Sequence, residues 1–163
     1  MKREIFQLFG ALVIAFFVMP SLSAAQSKPV NVALVTPIQI FPESNSIMGL
    51  RINLIYGKNV SMEGLDWGLV NAVGSGGFTG VELGLANICD GNALGVQWSA
   101  VNLTKGNVKG VQWGWFNSGG HVSGLQFGLV NYAGSMYGLQ IGLINIIKTG
   151  GFMPVFPIVN FSF

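Results

Sequence analysis

The chain has 163 residues, of which 50% are apolar and only 9% charged, against about 25% charged in an ordinary soluble domain. Beyond residue 25, six Lys or Arg face five Asp or Glu, so no basic face is available for nucleic acid. Cys89 is the only cysteine, which excludes an intrachain disulfide and leaves backbone pairing and packing to hold the fold.

At the N-terminus, Lys2 and Arg3 precede an apolar run from Ile5 to Met19, followed by Pro20 and the small-residue stretch Ser23-Ala24-Ala25. This order is that of a secretory signal peptide, and the run is shorter than the roughly 20 residues a membrane-spanning helix needs. Residues 1–25 are therefore expected to be removed on export. Residues 26–48 form an N-terminal strand, Val32 to Ile40, and a linker, and residues 49–163 form a repeat domain.

The repeat units open with Gly49-Leu50-Arg51-Ile52, Gly64-Leu65-Asp66-Trp67, Gly80-Val81-Glu82-Leu83, Gly95-Val96-Gln97-Trp98, Gly110-Val111-Gln112-Trp113, Gly124-Leu125-Gln126-Phe127 and Gly138-Leu139-Gln140-Ile141, at intervals of 14 to 16 residues. Most continue to an Asn, giving Asn71, Asn87, Asn102, Asn117, Asn131 and Asn145. Within a unit, side chains alternate with the period of two that marks a strand. In the fifth unit, Val111, Trp113 and Trp115 fall on one face and Gly110, Gln112 and Gly114 on the other. Stretches such as Gly57-Lys58-Asn59, Asp90-Gly91-Asn92, Lys105-Gly106-Asn107 and Ser118-Gly119-Gly120 read as turns, because Gly and Asn accept the positive φ that tight reversals require.

The third position of each unit forms a row: Arg51, Asp66, Glu82, Gln97, Gln112, Gln126, Gln140. One cation beside two carboxylates and four amides predicts a structural polar belt in the interior, with Arg51 neutralising Asp66 or Glu82, since buried polar groups need partners. At the C-terminus, Val155 to Phe163 alternates again and stops on an aromatic residue. It resembles the last strand of bacterial outer-membrane barrels, which implies recognition of Phe163 by the outer-membrane assembly machinery.

These features predict an all-β fold. The first expectation is an antiparallel meander closed into a small outer-membrane β-barrel, its apolar face toward lipid and its Gly and polar face inward. Against it, counting the terminal segments gives nine strands where bacterial single-chain barrels have even numbers, and Pro37, Pro154 and Pro157 interrupt the end strands. The alternative is a β-solenoid in which each unit is one coil and the recurrent Asn residues stack into ladders. Three points oppose the solenoid: a short coil, Asp66 stacked on Glu82 as like charges, and the lack of a polar exterior.

The run of G-L-Q-x-G-L-V-N units, preceded by Gly49-Leu50-Arg51-Ile52-Asn53-Leu54-Ile55-Tyr56-Gly57 and followed by Phe156-Pro157-Ile158-Val159-Asn160-Phe161, resembles a bacterial surface-repeat family first described from leptospiral surface proteins. The resemblance spans roughly residues 30–163 and implies a cell-envelope or surface-exposed protein; it brings no activity, cofactor or catalytic residue with it. More loosely, the unit resembles the Q-x-G-x-x-N repeat of curli subunits, which implies self-association.

Residues that could carry chemistry are few. His121 is the only histidine and sits in a turn, with no nucleophile elbow in the sequence. Asp66 and Glu82 occupy equivalent positions in adjacent units and could in principle act as an acid and base pair, but charge neutralisation by Arg51 accounts for them without a substrate cleft. No catalytic residue, metal ligand set or cofactor site is expected. The reading is a non-enzymatic envelope protein, exported to the bacterial outer membrane or cell surface, with membrane lipid, the assembly machinery or its own copies as partners.

Overall fold

The computed structural model describes residues 27–163. The expected signal peptide lies outside them. Ten strands are formed: β1 (Lys28–Val35), β2 (Ile38–Gln39), β3 (Ser46–Leu83), β4 (Ala86–Cys89), β5 (Ala93–Trp98), β6 (Val101–Thr104), β7 (Val108–Trp113), β8 (Phe116–Phe127), β9 (Val130–Thr149) and β10 (Val155–Ser162).

Successive repeats pair in parallel, not antiparallel. Gly80, Val81 and Glu82 of β3 lie against Gly95, Val96 and Gln97 of β5, which lie against Gly110, Val111 and Gln112 of β7, then Gly124, Leu125 and Gln126 of β8 and Gly138, Leu139 and Gln140 of β9. A second parallel set follows in each unit, with Asn71, Asn87, Asn102, Asn117 and Asn131 in register across β3, β4, β6, β8 and β9. The chain therefore winds as a β-solenoid of about eight turns, one sheet wrapped into two faces. The closed antiparallel barrel is corrected on this point: each 14 to 16 residue unit is a full coil of two short strands and not one strand with a hairpin.

So short a coil is possible because neither reversal needs a long loop: at one edge the strand is broken only at Asp90-Gly91-Asn92 and Lys105-Gly106-Asn107 and otherwise runs on through the corner inside β3, β8 and β9. At the other, near Gly84-Leu85, Ser99-Ala100 or Gly114-Trp115, the backbone bends and continues directly into the next strand. The opening Gly of each unit is held to Gly by the stacking. At Gly110, φ is +135° and a Cβ would stand 2.0 Å from the carbonyl oxygen of Gly95 in the coil below. A side chain there would meet backbone that cannot retreat.

Both ends are capped. β1 adds in parallel to the first face, Asn31 opposite Arg51 and Val32 opposite Ile52, and β2 folds back on it. At the other end β10 pairs antiparallel with β9, Val159 opposite Ile141 and Phe161 opposite Leu139, with a register shift between Phe156 and Ile158. Pro157 lies within that bulge, and proline and bulges both blunt a sheet edge against further pairing.

Candidate interaction surface and the polar interior behind it

The inside of the coil is divided. Toward the turn edge, Ile47, Met62, Phe78, Val108, Val122 and Met136 stack with Val73, Cys89, Ala133 and Ile147 as an apolar core. Toward the bend, the interior is polar. Arg51, Asp66, Glu82, Gln97, Gln112, Gln126 and Gln140 are all buried, in a single row.

That row is directional. Gln140 Nε2 donates to Gln126 Oε1 at 2.7 Å, Gln126 to Gln112 at 2.7 Å, Gln112 to Gln97 at 2.9 Å, and Gln97 to Glu82 Oε2 at 2.8 Å. A second row of amides runs the opposite way: Asn53 donates to Asn71, then in turn to Asn87, Asn102, Asn117, Asn131 and Asn145, each at 2.7 to 3.0 Å. Parallel in-register stacking of identical amides produces this pattern, because each carboxamide has a donor for one neighbour and an acceptor for the other.

The Gln row ends on charge. Burial first, and then the neighbouring Asp66 charge, push Glu82 up to about 8, and the protonated carboxyl hydrogen-bonds to Asp66. Ionised, Glu82 would leave Oε1 with no donor. Asp66 accepts from Arg51 Nε at 2.9 Å, from Arg51 Nη2 and from Asn53 Nδ2 at 3.0 Å. Arg51 Nη1 reaches Ala72 O at 2.9 Å and Asn59 Oδ1 at 3.3 Å. The buried charges thus reduce to one ion pair, Arg51 with Asp66, and a neutral acid.

The outside reverses the usual arrangement. Over the bend runs an open groove of about 1070 Å³. Its floor is the small-residue row Gly68, Gly84, Ser99, Gly114 and Gly128. One wall is Trp67, Leu83, Trp98, Trp113 and Phe127, and the other is Leu54, Leu69, Leu85, Ala100, Trp115 and Leu129. The Trp98 and Trp113 rings stack at 5.4 Å, and Phe127 meets Trp113 edge-on at 5.5 Å. Trp115 is 69% exposed. Period-two reading places Trp113 and Trp115 side by side on one flat face; the bend between them separates them into opposite walls. The signal for this was the small residue that recurs between the two apolar positions.

Charge is kept away from the groove. Lys58 pairs with Glu43 at 3.7 Å and Lys105 with Asp90 at 2.7 Å, both at the loop-forming turns on the far edge. Hydrogen bonding from Lys105 holds Asp90 below the usual carboxylate range. His121 lies on the same edge, Nδ1 2.8 Å from Ser135 Oγ. Among the described residues no group of three or more His, Cys, Asp or Glu is placed to hold a metal ion. Phe163, assigned from sequence to assembly-machinery recognition, packs edge-on against Tyr137 at 6.0 Å and over Phe161 at 5.9 Å.

No family model matches the chain, and neither the curated proteins nor the solved structures contain a match to it.

Proposed function

We propose that the chain is an exported, non-enzymatic β-solenoid of the bacterial cell envelope that works by surface contact, as an adhesive or self-assembling subunit, through the apolar groove over its bend. The observation that carries this reading is the separation of the exterior into a charged turn edge and an uncharged bend lined by exposed Trp and Leu. Monomeric soluble proteins rarely expose contiguous apolar patches of more than a few hundred Å², and larger ones mark contact sites for protein or membrane. Export is supported by the leader-like sequence order, and an envelope location by the low charge content together with the surface-repeat resemblance.

The test is sedimentation of the purified protein in buffer across a range of concentrations, with Trp fluorescence recorded alongside, and flotation with phosphatidylcholine vesicles. Concentration-dependent association or vesicle binding, with a blue shift as the groove tryptophans are covered, supports the reading. A monodisperse monomer that ignores vesicles and keeps an unshifted Trp spectrum overturns it.

A further inference from the structure

The groove has one irregularity, and it is self-complementary. Its outer wall carries one side chain per coil, and with the next coil beyond the groove the sequence along it is Leu54, Leu69, Leu85, Ala100, Trp115, Leu129, Leu143. From Leu69 onward the backbone joins successive coils at these positions, Leu85 N donating to Leu69 O, Val101 N to Leu85 O, Trp115 N to Ala100 O, Leu129 N to Trp115 O and Ile144 N to Leu129 O. The wall is level except at two adjacent coils, where Ala100 leaves a notch and Trp115 forms a knob, 69% exposed. We propose that a second copy of this chain docks here, antiparallel, about a two-fold axis passing between the Ala100 and Trp115 coils, so that each Trp115 enters the partner's notch at Ala100. The proposal rests on the surface-contact reading above and names its partner.

Symmetry makes the fit specific. A two-fold at that point sets Trp115 against Ala100 twice, Leu129 against Leu85 and Leu143 against Leu69, and on the other wall it sets Trp113 against Trp98 twice and Phe127 against Leu83; because both copies have the same coil spacing every rung meets a rung. The axis lies near the middle of the repeat array, so six coils overlap. At about 4.8 Å per coil and a width of roughly 20 Å, the contact covers on the order of 600 Å² per copy, or about 1,200 Å² in total, where specific stable interfaces begin. The charges agree. Lys58, Lys105 and Lys148 sit at or beside the loop-forming turns, and Lys109 follows the Lys105 turn, so bend-to-bend docking buries no charge and leaves both charged edges in water. A lipid headgroup surface would instead call for cations flanking the apolar strip.

The test exchanges knob and notch in the full chain. Sedimentation equilibrium should show a dimer for the wild type, and about tenfold or greater weakening for Ala100→Trp and for Trp115→Ala alone, as for a central aromatic anchor. The combined A100W/W115A protein, in which the knob and notch have traded coils, should recover the dimer. Both positions point outward, and β-type circular dichroism checks that each variant is folded. Failure of the double variant to recover, or a dimer indifferent to both single changes, overturns the docking geometry. A wild-type monomer that floats with phosphatidylcholine vesicles overturns self-docking but keeps the surface-contact reading. A monomer that does neither overturns both.

Discussion

Glu82 lies one coil beyond Asp66 in the interior row and hydrogen-bonds to it through a proton that burial and the Asp66 charge keep in place up to about pH 8. Two stacked carboxylates are tolerated because only one is ionised. The folded state therefore binds a proton that the unfolded chain releases near pH 4.5. A raised carboxyl pKa stabilises the fold fully below the unfolded value and ceases to do so as pH rises through the folded one. Stability should fall with rising pH from this group, beginning near pH 4.5 where the unfolded chain releases its proton, and level off once the folded carboxyl has released it too. Glu82→Gln places a fifth amide in the row, donating to Asp66 and accepting from Gln97, and should remove the slope and raise the unfolding midpoint at pH 8. Denaturant unfolding of both proteins across this range checks it; parallel curves would refute the shared proton.

Among the described residues Arg51 is the only buried cation, and it donates to Asp66 through two nitrogens. Arg51→Leu leaves a buried carboxylate unpaired, at a cost of about 3–5 kcal/mol. In an Asp66→Asn, Glu82→Gln background the same change should cost much less, because no charge is then stranded. Equal losses in the two backgrounds, measured by urea unfolding, would mean that Arg51 acts through packing alone.

Much of this architecture was legible in the sequence. The repeat period, the turn residues and the row Arg51 to Gln140 follow from spacing alone, since a recurrent polar residue at one phase of an alternating pattern has to face the same way in every unit. Strand direction was not legible in that way. Period-two alternation is identical in parallel and antiparallel sheets, and Gly-rich turns suit both. The bend at Gly114-Trp115 contains no turn residue beyond a glycine, so a two-strand coil passes for one strand. The like-charge objection at Asp66 and Glu82 dissolves once one carboxyl is protonated, and that depends on burial. The groove stayed hidden for the same reason as the bend, because its walls are neighbours in sequence that the bend turns apart.

The Asn row predicts a second mechanical weak point. Asn102 accepts from Asn87 and from Ser99 Oγ, and donates to Asn117 and to the Trp113 carbonyl. Asn102→Leu strands polar groups on both sides, at about 1–3 kcal/mol for each buried group left unsatisfied. Lys109→Leu, on the exterior beside the turn edge, removes no buried partner and should change the midpoint little. Thermal unfolding of the two variants separates a buried ladder from a solvated surface row.

Backbone stacking gives the sharpest contrast. At Gly110 an added methyl would lie 2.0 Å from the Gly95 carbonyl oxygen, whereas at Gly150, also at positive φ (+78°), nothing lies within 4 Å. Both Gly→Ala changes carry backbone strain of order 1 kcal/mol, but only Gly110→Ala must also push two coils apart, which breaks the in-register hydrogen bonds of the rows on either side. Gly150→Ala should therefore fold with a slightly lowered midpoint, and Gly110→Ala should lose cooperative unfolding. Cys89 offers a readout that needs no label in the native state. It is fully buried, and burial pushes its thiol up to about 11, so it should resist a thiol reagent at pH 8 until the coil opens. Its rate of modification should be slow in the wild type, little changed in Gly150→Ala, and fast in Gly110→Ala. Equal rates in the two variants would mean that the stacked carbonyls yield more easily than their spacing implies.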